Sequence, residues 1–137
     1  MVAERLQAAA TVSEQFLTGK KFFFSALKPS DLENRLAAVY AIFHRDDPKA
    51  LYVGRTKNIR QRMYTNHLMG PTTNARLKKY LIEDETIPEV FDAQSAKHFI
   101  IENCYFQYLP EPGMEARGRL EGLFSYLLRV RYIHEEH

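Results

Sequence analysis

The 137-residue sequence has one cysteine, Cys104, and no tryptophan. A lone cysteine cannot form an internal disulfide, and no Cys/His spacing of the zinc-site kind is possible. A reducing, cytoplasmic setting is the simplest expectation. Cys104 lies in the apolar run FIIENCYFQYL, which suits a buried structural thiol rather than a nucleophile. No uninterrupted apolar run is long enough for a transmembrane helix, so no membrane partner is expected. The opening residues MVAERLQAAATVSEQF lack a basic patch followed by an apolar block, so no signal peptide is expected. Net charge is only +2, and partners must be read from the distribution of charge instead.

One absence is local. No acidic residue lies between Asp47 and Glu83, while Lys49, Arg55, Lys57, Arg60, Arg62, Arg76, Lys78 and Lys79 fall in that window. Most charge runs are solvated surface. A single sign sustained this far favours a polyanion, since each neutralised phosphate adds salt-dependent affinity. The arginines cannot all address one phosphate: Arg55 precedes the expected helix, and Arg60 sits about 160° around it from Arg62. Ile59, Met63 and Leu68 mark the core-facing side, and Arg62 borders it. Its guanidinium fork fits a phosphate bidentately; the alternative is an arginine lying over the core and pairing with a carboxylate.

The length fits a single domain able to bury a core. Residues 2–18 read as an amphipathic helix, with Leu6, Ala9, Val12, Phe16 and Leu17 at helical spacing. The FFF run at 22–24 would dock this extension onto the core or onto a second copy of the chain. Ser30 and Glu33 have capping-box spacing for a short helix. Residues 37–45 and 51–54 read as an antiparallel hairpin across the DDPKA turn. Residues 57–68 read as a helix closed by Gly70 and Pro71, residues 72–84 as another, 85–97 as a loop, 97–109 as a third strand and 114–130 as a last helix. The expectation is an α+β fold: a small three-stranded antiparallel sheet flanked by helices. Residues 1–35 form an N-terminal helical extension and 36–137 the main domain.

Four elements in order then carry a resemblance: AVY at 38–40, YVG at 52–54, Arg62 eight residues past Gly54, and RGRLEGLF at 117–124. Together with LYVGRTKNIRQR around the glycine, they resemble the GIY-YIG nuclease superfamily over about residues 36–130. That resemblance implies a three-stranded antiparallel sheet, a divalent-metal-dependent endonuclease acting on DNA, with RNA not excluded, and Mg²⁺ or Mn²⁺ as cofactor. Members serve in excision repair, restriction, homing and junction resolution.

Residue by residue, the resemblance implies that Tyr40 and Tyr52 face one another in a cleft. One would serve as, or orient, the general base, which needs positive surroundings to favour phenolate. Arg62 would stabilise charge on the scissile phosphate, and Glu121 would hold the metal. Glu115, near the start of the last helix, is the weaker candidate, since a carboxylate there suits the helix dipole. Gly54 would let the strand pass tightly into the helix. Where the family often has His, four residues after the arginine, this chain has Asn66; His67 follows, turned by about 100°, and reaches the cleft if the helix is distorted. Arg55, Lys57, Arg60, Asn66, Arg76, Lys78 and Lys79 would contact nucleic acid. Two other readings stand beside this one. A non-catalytic nucleic-acid-binding module would keep the basic surface without turnover, and a partner-interaction protein would use the FFF run and first helix, including as a homodimer.

Overall fold

The computed structural model describes residues 1–69 and 76–133. Helix α1 (Val2–Leu17) leads through β1 (Phe22–Phe23) and two 3-10 turns (Phe24–Ala26 and Pro29–Asp31) into the hairpin of β2 (Ala38–His44) and β3 (Ala50–Thr56). A π-helix (Gln61–Met69) follows, then α2 (Arg76–Glu83), α3 (Ala93–Asn103), β4 (Cys104–Pro110) and α4 (Met114–Leu127). The fold is α+β. Its antiparallel sheet has four strands in the order β1-β4-β2-β3, one more than the sequence suggests. The addition is β1, where Phe22 pairs with Phe106 and Phe23 with Tyr105. Two residues are too few to display a strand's alternation. The FFF run therefore docks on this chain's own core, with Phe22 stacked on Phe106 at 5.3 Å and Phe24 buried.

β2 is central, and helices cover both faces of the sheet. Val39, Ala41 and Phe43 pack with Phe16, Phe124 and Leu128 on one side. Tyr40 and Ile42 pack with Ile59, Met63, Leu77, Leu81, Ala96 and Ile100 on the other. Burial on both faces explains why AVYAIF is apolar without alternation. The Phe16–Phe124 stack, 4.2 Å between centroids, anchors a largely exposed α1, on which Ser13 is the other buried residue. Truncating a buried phenylalanine of this kind to alanine costs about 3–5 kcal/mol.

Three expectations are corrected. The segment read as a loop and a long strand holds α3 followed directly by β4. Asp92 starts α3 by accepting the Ser95 N–H at 2.8 Å, and Ser95 Oγ accepts the Asp92 N–H at 3.0 Å, a reciprocal cap. The box expected at Ser30 and Glu33 is replaced by a turn in which Asp31 accepts the Lys28 N–H at 2.9 Å. α4 ends at Leu127, short of residue 130. The chain then bends at Arg129 (φ 48°) and runs beside β3. There the Ala50 N–H donates to the Leu128 carbonyl at 3.2 Å, and the Arg131 N–H to the Ala50 carbonyl at 2.9 Å. Asp84 accepts from Arg131 and Tyr132 at 2.7 and 2.6 Å, which secures this tail. The helix end expected at Gly70 and Pro71, and the helix start expected at Thr72, lie outside the described residues. Among the described residues no helix is long and apolar enough to cross a membrane.

Candidate active site

Tyr40 and Tyr52 lie on the same face of neighbouring strands. The register pairs Tyr40 with Gly54 and Ile42 with Tyr52, so the tyrosines are diagonal neighbours, with ring centroids 6.3 Å apart. A Cβ at Gly54 would stand 2.5 Å from the Tyr40 hydroxyl and 2.7 Å from Cζ. No glycine of the described residues has positive φ. Gly54 is thus needed for the room it leaves to Tyr40, not for a tight passage into the helix.

After β3, Asn58 turns the chain. Its N–H donates to Thr56 Oγ1 at 3.0 Å, and its side-chain oxygen accepts the Gln61 N–H at 3.2 Å, capping the helix that follows. That helix is π-wound from Gln61 to Met69. Hydrogen bonds of the i→i+5 type give each turn about one residue more than an α turn. An α-helix would bring Asn66 round beneath Arg62; the wider turn brings His67. The His67 ring is fully buried, edge-on to both tyrosines at 5.5 Å, and its Nε2 is 2.8 Å from the Tyr40 hydroxyl. Among the described residues its Nδ1 has no partner. Burial, helped by the charges of Arg62 and Lys78, pushes its pKa down to about 3. His67 is therefore neutral at neutral pH.

The tyrosines do not sit in the phenolate-favouring setting that the sequence suggests. Burial pushes Tyr40 well above 10, with Tyr52 and Glu121 adding to the rise and Arg62 and Arg76 opposing it. Tyr52 is likewise raised, by burial first, against Arg76 and Arg62. Both are phenols at neutral pH. The same effects show that Arg62, Arg76 and Glu121 all act on this pair. Glu121 lies half-buried on α4.

At the end of β3, sharing Arg62 with the surroundings of the tyrosines, opens a cleft of about 420 Å³ lined by Arg55, Thr56, Lys57, Asn58, Gln61, Arg62, Met114 and Arg117. It has four cationic residues and no carboxylate. None of the ion pairs among the described residues involves them. Arg62 Nε is buried without a partner among the described residues. Arg117 is held by the carbonyls of Glu111 and Pro112 at 3.0 and 2.8 Å. The sequence reading did not single out Arg117 or Met114, although Arg117 stands one helical turn before Glu121.

The other basic residues divide. Arg60 spends its Nε on the Leu32 carbonyl at 2.8 Å, pinning the segment that leads into β2. Lys79 and Arg76 are exposed on α2, whereas Lys78 is 2% exposed and pushed down to about 8 by burial and by Lys97. Burial corrects the expectation that Lys78 faces nucleic acid. Asn66 is half-buried.

Among the described residues no group of three or more His, Cys, Asp or Glu is placed to hold a metal ion. Within the described residues, Glu121 is the carboxylate among the largest charge effects on both tyrosines. A single carboxylate fits a hard cation that keeps water and takes its remaining oxygens from substrate phosphate.

Residues 36–102 match the family model of the GIY-YIG catalytic domain, taking in both tyrosines, Gly54, Arg62 and His67. Searches of curated proteins and of solved structures give no significant match. The family-model match, over residues 36–102, supports the GIY-YIG nuclease superfamily for this chain.

Proposed function

We propose that this protein is a divalent-metal-dependent endonuclease that hydrolyses phosphodiester bonds of DNA. The observation that carries the reading is the bearing of Arg62, Arg76 and Glu121 on one pair of tyrosines, with Arg62 shared by a cleft without carboxylates. Water attacks phosphorus and displaces one ester oxygen, with no covalent protein intermediate. Tyr40 is the base, supported over Tyr52 by its hydrogen bond to His67. As its oxygen takes the proton of the attacking water, its own proton passes to His67 Nε2. A bound phosphate also offsets the charge of Arg62, which removes one of the causes that hold His67 low. Arg62 meets the charge growing on the phosphoryl oxygens. Glu121 would hold Mg²⁺ or Mn²⁺, which when bound polarises the phosphate and stabilises the leaving oxygen.

Arg55, Lys57, Arg76 and Lys79 track the backbone, a contact that does not distinguish DNA from RNA. Residues 1–35 complete the sheet of the 36–137 domain through β1. Val2, Leu6 and Leu17 of α1 stay in solvent, which supports contact with a second copy; a monomeric mass by light scattering would remove that expectation.

A binding module without turnover is the second reading. It is favoured by the burial that keeps both tyrosines protonated and His67 a weak base in the free chain. Nicking of supercoiled plasmid, and cleavage of branched, single-stranded and RNA substrates with Mg²⁺ or Mn²⁺, decides between them. Metal-dependent cleavage lost in both Glu121→Ala and Arg62→Ala is the expected result. Salt-dependent binding without cleavage of any substrate would transfer the conclusion to the module.

A further inference from the structure

We infer that Gly118 is a positioning residue: the space left by its missing side chain seats Arg55 in the cleft, where Arg55 binds a phosphate neighbouring the scissile one. The inference rests on the nucleic-acid reading above and names a determinant that the family match, ending at residue 102, does not reach. Arg55 leaves the end of β3, paired with Val39. Val39 and Val53, two residues before Arg55, pack in the cluster that also holds Phe124 of α4, so strand alternation sends Arg55 to the α4 side. There a Cβ built on Gly118 would collide with Arg55 Nη1 and lie 3.5 Å from Cζ. The guanidinium therefore lies directly against the helix backbone. Tyr40 pairs with Gly54 and Tyr52 is two residues before that glycine, so both tyrosines are on the face of the sheet opposite Arg55. Arg55 shares the cleft with Arg62 yet stands apart from the reacting centre, as a contact to an adjoining phosphate requires.

α4 carries its own control. Gly122 lies one turn further on, and a Cβ there meets nothing within 4 Å. Glycine is unfavourable inside a helix, so alanine at either position improves the helix itself. At Gly118 the obstructing atom is the tip of a flexible exposed side chain, and the fold yields by moving Arg55.

The test is affinity of a fluorescent duplex, measured in EDTA across a salt series, for wild type, Gly118→Ala, Gly122→Ala, Arg55→Ala and the Gly118→Ala/Arg55→Ala double variant, with thermal melts of each. Gly118→Ala and Arg55→Ala are expected to weaken binding about fivefold. Each should lower the salt slope by about one. The double variant should match Arg55→Ala, and Gly122→Ala should match wild type. Loss in Arg55→Ala with wild-type binding by Gly118→Ala overturns the positioning role and leaves the cleft standing. Wild-type binding by both overturns the Arg55 contact. A melting temperature lowered in Gly118→Ala alone overturns it too, because the backbone rather than Arg55 has then moved. A wild-type protein with no salt-dependent affinity for DNA removes the nucleic-acid reading itself.

Discussion

The ring of Tyr40 lies across Gly54 on the neighbouring strand, filling the volume that a side chain there would need. Gly54→Ala should force the ring aside in a core with no slack, at about 1–3 kcal/mol, the usual range for overpacking. Urea unfolding measures this directly. A midpoint equal to wild type would mean that the ring has another place to go. Cleavage should fall as well, since the displaced hydroxyl is the one bonded to His67.

His67 should make stability depend on pH in a defined window. Its pKa is lowered from 6.5 unfolded to about 3 folded. Between these values the unfolded chain binds a proton that the folded chain refuses, so stability falls as pH falls. The slope reaches about 1.4 kcal/mol per pH unit. Asp84 is also held low: burial works against this, but hydrogen bonds from Thr86, Tyr132 and Arg131 prevail. Its share disappears only as pH drops below about 4. Chemical denaturation from pH 6.5 to 4 therefore isolates His67, and His67→Gln should flatten the curve there. An unchanged slope in that variant would show that His67 is not buried as described.

Tyr40→Phe and Tyr52→Phe should differ. The first leaves His67 Nε2 buried without a partner and should cost about 1–3 kcal/mol of stability. It should also lower the cleavage rate by about 10²–10⁴-fold, the usual worth of a general base. Tyr52→Phe removes no hydrogen bond found among the described residues and should retain more activity. Because burial keeps Tyr40 a phenol and His67 neutral, the relay is already in its working form at neutral pH and the wild-type rate should level off there; a rate still climbing at alkaline pH would make the phenolate the base. Equal rates for the two variants would remove the distinction between the tyrosines.

Two lysines of the basic window should separate as well. Lys57→Ala should reduce the salt slope of DNA binding by about one. Lys78→Met, at a buried position, should leave that slope unchanged. A slope lowered by Lys78→Met would place Lys78 against phosphate after all.

The site was more legible than the frame around it. Tyr40, Tyr52 and Gly54 were legible through the AVY and YVG motifs of the GIY-YIG resemblance, and the pairing of β2 with β3 puts them on one face because strand residues two apart share it. Arg62 was legible from its spacing to Gly54. His67 was not secured, because residue counting assumes α pitch, and the winding between Gln61 and Met69 is a property of the packed helix. Lys78 misled for a similar reason: its charge marks it for water, while Leu77 and Leu81 beside it draw that side of α2 into the core. The stretch FIIENCYF supported strand and helix equally, since short apolar runs carry no decisive period. The Asp92–Ser95 cap was the signal that would have separated them. Gly118 and Arg117 act through distant partners, Arg55 and the carbonyls before α4, and no local pattern announces such contacts.

The tail beyond α4 has one more consequence. A sheet's outer strands offer unpaired backbone groups to any other strand that meets them. Here β1, on one margin, is two residues long, and residues 128–132 occupy the beginning of the other. Both features shorten the backbone template that native chains present to one another. Cutting the chain after Leu127 would uncover the start of β3 and, with Tyr52 on that same strand, would turn part of the reactive centre into an adhesive seam.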